Sequence, residues 1–135
     1  MPQTIHDDFG VLGGKVVVRK TDEGDYICPI CGMIHEGTSE FADPKAYFHG
    51  NESCPGCEYE FGFHDAPRCE NESRMAIWAL LRQQWLHKHS HESALVSRLC
   101  SNLEMTREQL DRERDEVLRY LDHYRSCYGD IRLAD

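Results

Sequence analysis

Cys28, Cys31, Cys54 and Cys57 form two Cys-x-x-Cys pairs, with Pro29 and Pro55 after the first cysteine of each pair. Thiolates bind soft or borderline cations, and four of them suit a tetrahedral ion. The i, i+3 spacing lets one tight turn present two sulfurs to the same ion, while the amides of that turn donate to the sulfurs. The prolines fix the backbone inside each turn. Gly32 follows the first pair where the chain must curl back, and Glu58 holds the equivalent place after the second. The 22 residues between Cys31 and Cys54 suffice for a strand out and a strand back. The pattern reads as one tetrathiolate site holding one structural Zn2+, with iron as the lesser alternative. Four cysteines fill the sphere and leave no position for a water, so the site is not expected to be catalytic. A redox pair would need a thioredoxin-like βαβ setting, which the sequence does not supply.

The remaining reactive side chains read more plainly. His35 lies four residues after Cys31 and is within ligand reach, but it is taken as a partly exposed polar residue on a ribbon strand. His49 and His64 are read the same way. His87 and His91 share a helix face at i, i+4, with His89 between them, and lack a third ligand; they read as a solvated helix end. Cys69, Cys100 and Cys127 have no pair spacing and are expected to be ordinary buried thiols. No nucleophile and base fall together, so no enzyme is expected.

These ligands need elements to carry them. Residues 1–14 are polar and glycine-containing and read as a flexible arm. The run "KVVVRK", Lys15 to Lys20, is β-branched and reads as a strand. "TDEGD", Thr21 to Asp25, is turn chemistry, and "YI" leads into the first cysteine pair, which predicts a hairpin. "AYF", Ala46 to Phe48, and "EYEFGF", Glu58 to Phe63, supply further short strands, so residues 15–67 form the ribbon. After Pro67 there is no proline, and the only glycine is Gly129. Residues 71–90 predict an amphipathic helix with Met75, Trp78, Ala79, Arg82, Trp85, Leu86 and His89 on one face. Trp78 and Trp85 either cover the ribbon, which has little core of its own, or form a docking face; the first reading is preferred.

Residues 92–128 predict a second, long helix, with Ser90 or Ser93 as its cap. Val96, Leu103, Leu110, Val117 and Tyr124 recur every seven residues as a positions. The d positions, Leu99, Thr106, Glu113, Tyr120 and Cys127, are mixed, which makes an incomplete coiled-coil seam. The expected use of that stripe is a homodimer or another protein partner; the alternative is a break near Asn102 that folds the stripe back onto the first helix. The fold class expected is therefore α+β: a small zinc ribbon followed by two helices.

Charge narrows the partners. The chain has 135 residues and a formal net charge of −9. Residues 1–71 carry 13 acids against 5 bases, and four thiolates around a divalent ion add a further −2. The ribbon would repel a phosphate backbone, so nucleic acid is not expected to bind through it. Residues 72–91 carry one acid and three bases, the one basic patch suited to an acidic partner. No apolar run approaches the length of a bilayer, and the start of the chain, with Asp7 and Asp8, does not read as a signal peptide. A cytoplasmic setting is expected.

"YICPICG" followed by "ESCPGCEYEFGFHD" resembles the small bacterial proteins of the CPCC type over about residues 26–86. Cys28, Cys31, Cys54 and Cys57 match the cysteines of that group, and Glu60, Phe61, Gly62 and Asp65 match the string that follows. Glu58 stands where a glycine is usual, and His64 where an acid is usual. The resemblance implies a zinc ribbon followed by a tryptophan-rich helix. "CGMIHEGT" is also similar to the iron-binding knuckle of rubredoxin and of rubrerythrin ends. No Glu-x-x-His occurs in the chain, so a di-iron bundle is not encoded. Small phage zinc ribbons of the restriction-alleviation kind are a third likeness. The function expected is a zinc-ribbon adaptor. The alternatives are a rubredoxin-like iron electron-transfer protein, and a phage- or bacteria-encoded regulator associated with nucleic acid.

Overall fold

A computed structural model of the chain describes residues 2–6, 15–35, 54, 56–59, 74–129, 131 and 133. Among them four strands form one antiparallel sheet in the order β1-β2-β3-β4. These are β1 (Pro2–His6), β2 (Lys15–Lys20), β3 (Tyr26–Ile27) and β4 (Ile34–His35). The expected hairpin is β2 and β3, paired Arg19 to Ile27 and Lys20 to Tyr26. Its turn closes as the "TDEGD" chemistry requires: the Thr21 hydroxyl oxygen accepts from the Asp25 amide, and Gly24 takes a φ of 90°. Strand β1 is a correction to the flexible arm, since Pro2–His6 pairs along its whole length with β2. β-Branched Val16, Val17 and Val18 make β2 a strong template for a neighbour on each edge. The strand expected at Ala46–Phe48 and residues 60–63 of the one expected at Glu58–Phe63 lie outside the described residues, as do His49, His64 and Cys69, while Glu58 and Tyr59 are described and are not in a strand.

Four helices follow among the described residues: α1 (Arg74–Lys88), α2 (Ser93–Leu103), α3 (Arg107–Arg119) and α4 (Leu121–Tyr128). The single long helix expected over 92–128 is thus three helices. Glu104 ends α2 in the left-handed region at φ 53°, and its amide bonds back to Cys100 O and Ser101 O. Thr106 then caps α3: its hydroxyl oxygen accepts from the Gln109 amide, and the Gln109 side chain accepts from the Thr106 amide. This reciprocal pair is encoded in the sequence as Thr-x-x-Gln. Thr106, a weak position of the expected seam, instead starts a helix with its side chain. A further break at Tyr120 separates α3 from α4.

The breaks redirect the heptad stripe. Val96, Leu103, Leu110 and Val117 are all buried within the chain. These four positions of the stripe expected to form a homodimer through Val96, Leu103, Leu110, Val117 and Tyr124 are thus covered within the chain, and the described residues show no continuous coiled-coil seam. The alternative break near Asn102, which folds the stripe back, is what the chain does, and α3 packs against α1. Helix α1 is the centre of the fold. Trp78, Leu81 and Trp85 join the cluster around the cysteines, while Leu80 joins Val117, Leu121, Ile131 and Leu133 in a second cluster. Covered on more than one side, α1 is less amphipathic than expected. Trp78 is fully buried and Trp85 is nearly so, which makes them core and not docking surface. Cys100 is a free, half-buried thiol, while Cys127, also expected as a thiol, is disulfide-bonded. No described helix is long and apolar enough to cross a membrane.

Candidate metal centre

Each cysteine pair forms a knuckle closed by backbone bonds. In the first, the Cys28 amide donates to Met33 O at 2.8 Å, and the Gly32 amide donates to Cys28 O at 3.0 Å. In the second, the Cys54 amide donates to Tyr59 O at 3.0 Å, and the Glu58 amide donates to Cys54 O at 2.6 Å. The residue after each pair swings into the left-handed region, Gly32 at φ 79° and Glu58 at φ 65°. The equivalence of these two positions was legible in the sequence, although one of them is not a glycine.

The knuckles face each other and bring the four sulfurs within 4.8 Å of one another. Cys31 Sγ lies 3.6 Å from Cys54 Sγ, and Cys28 Sγ lies 3.8 Å from Cys57 Sγ. A regular tetrahedron with metal–sulfur bonds of about 2.3 Å has sulfur–sulfur edges of about 3.8 Å. The donor set fits a four-coordinate thiolate-bound metal in both chemistry and spacing. Cys28, Cys31 and Cys54 are buried, and Cys57 is partly exposed. Gly56 allows the approach of the two knuckles, since a Cβ there would sit 2.8 Å from Cys31 Sγ and 3.1 Å from Met33 Sδ.

Electrostatics point the same way. Burial pushes the Cys28 thiol up, and neighbouring sulfurs that prefer to share protons push it further. Sulfur hydrogen bonds from Cys28, Cys31 and Cys57 hold Cys54 low, with a smaller contribution from His35. Without a cation the four sulfurs cannot all ionise, so they share protons among themselves. A divalent ion removes that conflict, and its binding must release protons. Tyr59, beside the site, is pushed up to about 12 by burial and by the charge of Cys57.

The helices grip the first knuckle through its carbonyl oxygens. Arg82 Nε and Nη2 donate to Pro29 O at 3.0 and 2.6 Å. Asn102 Nδ2 donates to Gly32 O at 2.7 Å, and Arg98 Nη2 approaches Cys31 O at 3.5 Å. Arg82 also pairs with Glu113 of α3 at 2.5 Å, and Gln83 donates to the same carboxylate at 3.0 Å. One buried guanidinium thus joins the knuckle, α1 and α3. The second knuckle is held by Trp85 Nε1, which donates to Gly56 O at 3.3 Å.

The expected ligands are therefore brought together as a set, the one candidate metal cluster among the described residues. His87 and His91 are exposed, and His89 pairs with Glu92 and stacks near Trp85. Sequence reasoning missed the roles of Arg82, Asn102 and Glu113, because their partners lie 30 to 70 residues away. It also set aside His35, whose Nε2 lies 3.3 Å from Cys54 Sγ.

No protein-family model, no curated protein and no solved structure matches this chain.

Proposed function

We propose that the protein is a zinc-ribbon adaptor, in which one Zn2+ held by Cys28, Cys31, Cys54 and Cys57 staples the ribbon and the helices present the result to a protein partner. The observation that carries this reading is the spacing of the sulfurs, 3.6 and 3.8 Å across the knuckles, in a site closed by four cysteines. A filled thiolate sphere offers folding energy and no open position, so the ion supplies no bond-making chemistry, and this reading assigns the protein no enzymatic role. The small sheet and its fusion to α1 and α2 suit a rigid head whose geometry depends on the ion. The CPCC-type likeness agrees with this reading through its cysteines.

Iron in the same four thiolates is a second reading, favoured by the two amide–sulfur bonds at Cys28 and the partly exposed Cys57. Exposure at one ligand gives an electron a short path in, as a rubredoxin-like carrier needs.

Elemental analysis of protein purified under reductant decides between them. One zinc per chain is expected, with removal by a chelator at neutral pH exposing Trp78 and Trp85 and red-shifting their fluorescence. Because protons compete for the thiolates, the same loss is expected on acidification and is reversed on raising pH with zinc present. A red, iron-containing protein would favour the electron carrier, and a metal-free protein with a native tryptophan spectrum would remove both.

A further inference from the structure

The first sulfur of each knuckle is treated differently. Cys28 Sγ accepts from two amides of its own turn, Ile30 at 3.4 Å and Cys31 at 3.5 Å. Among the described residues no amide donates to Cys54 Sγ, the equivalent sulfur of the second knuckle. Cys54 is nonetheless almost fully buried, so water does not supply the missing donor. The group that reaches it is His35, with Nε2 at 3.3 Å.

The chain delivers His35 there by a short route. Strand β4 leaves the first knuckle directly, and its pairing with β3 sets His35 opposite Tyr26. That register places the imidazole of a residue from the first knuckle's exit strand against a ligand of the second. A thiolate in a buried site is a strong acceptor, and an N–H aimed at it removes electron density from the metal–sulfur bond.

We infer that His35 is a positioning residue of the metal centre, whose Nε2–H donates to the Cys54 thiolate and takes the place of the amide donors that Cys54 Sγ lacks among the described residues. It is not itself a ligand, and it ties the two knuckles together through one side chain. This inference rests on the metal-site reading above.

The test uses the full-length protein loaded with Co2+ for spectroscopy and with Zn2+ for affinity. His35→Phe keeps the ring and removes the donor, while His35→Gln keeps an N–H donor at about the reach of the imidazole Nε2 on a flexible, non-aromatic side chain. In His35→Phe the thiolate-to-cobalt charge-transfer band is expected to move to longer wavelength, because the Cys54 lone pair is no longer stabilised. The d–d bands of a four-sulfur tetrahedron should remain. Zinc affinity by chelator competition should fall about tenfold, at the lower end of the effect of removing a partner of a metal ligand. His35→Gln should recover part of both. Parent-like charge transfer and affinity in His35→Phe would overturn the inference, as would a parent spectrum of three sulfurs and one nitrogen, which would make His35 a ligand. A parent protein that takes up no cobalt or zinc would instead sink the metal reading. If His35→Phe does not fold, His35→Leu, which also lacks a donor, replaces it: a charge-transfer band moved to longer wavelength supports the inference and an unchanged band overturns it.

Discussion

The two knuckles have the same backbone and opposite surroundings. Each is a Cys-Pro-x-Cys turn whose next residue is left-handed, and each closes with the same pair of backbone bonds. The first is packed under α1 and α2. Three of its carbonyls receive side-chain donors, and Gly32 lies so near α2 that a Cβ would meet the Leu99 backbone. Among the described residues the second receives one indole donor at Gly56, and its left-handed residue, Glu58, is exposed. A metal that needs two identical turns does not force them to share equally in the core. Among the described residues the helices hold the first knuckle at three carbonyls and the second at one.

The strongest way to break this asymmetry is at Arg82. Its guanidinium is about 10% exposed and faces a carboxylate about 15% exposed, with Pro29 O as its second partner. Arg82→Ala leaves Glu113 buried and charged beside the Gln83 amide and removes both donors to the knuckle. A loss of roughly 3–5 kcal/mol is expected in the zinc-bound protein, from the cost of orphaning one member of a buried ion pair. Denaturant unfolding followed by tryptophan fluorescence measures it. Arg82→Ala together with Glu113→Leu should recover a large part of the loss, because the stranded charge is then gone as well. A single mutant within 1 kcal/mol of the parent would show that the knuckle does not depend on the helices.

What the sequence made legible divides along the same line. The clustering of the four cysteines, the hairpin that leads to them and the burial of the tryptophans were all readable, because each rests on local spacing or on the need of a small ribbon for cover. The ion pair of Arg82 with Glu113 was not, since Glu113 looked like a flaw in a heptad until α3 turned back on α1. The break that turns it was readable in principle. Thr106 and Gln109 spell a capping box, but a heptad of apolar residues running straight through it made the longer period look like one helix. Seven-residue spacing also serves helices that fold back on one another, so the stripe by itself does not distinguish burial within the chain from burial between chains. His35 was set aside for a similar reason: the strand register that brings it to Cys54 is a tertiary fact.

A smaller loss is expected at Gly32. Alanine there meets two separate costs, the left-handed φ of 79° and a Cβ placed 2.8 Å from Leu99 Cα. The contact is with backbone, so relief requires α2 to move from the knuckle, which also strains the Asn102 bond to Gly32 O. About 2–3 kcal/mol is expected, combining roughly 1–2 for the conformation with a comparable or smaller amount for the displacement. Thermal unfolding of the zinc-loaded protein checks the size. Because the knuckle's cysteines are unchanged, zinc stoichiometry should stay at one ion.

The equivalent substitution in the second knuckle should have the opposite sign. Glu58 holds φ 65° with an L side chain, and its side chain is exposed. Glu58→Gly removes a conformational penalty of roughly 1–2 kcal/mol. It also makes the unfolded chain more flexible, which costs about 0.5–1 kcal/mol. The carboxylate it deletes is a further negative charge near the thiolates, and its loss favours the same direction. The balance is a gain of about 0.5 kcal/mol, with tighter zinc binding in a competition assay. Glu58→Gln separates the two contributions, since it removes the charge and keeps the strained backbone: it should gain less than glycine. A Glu58→Gly protein less stable than the parent would mean that the carboxylate makes a contact worth more than the strain, and the second knuckle would then be as firmly held as the first.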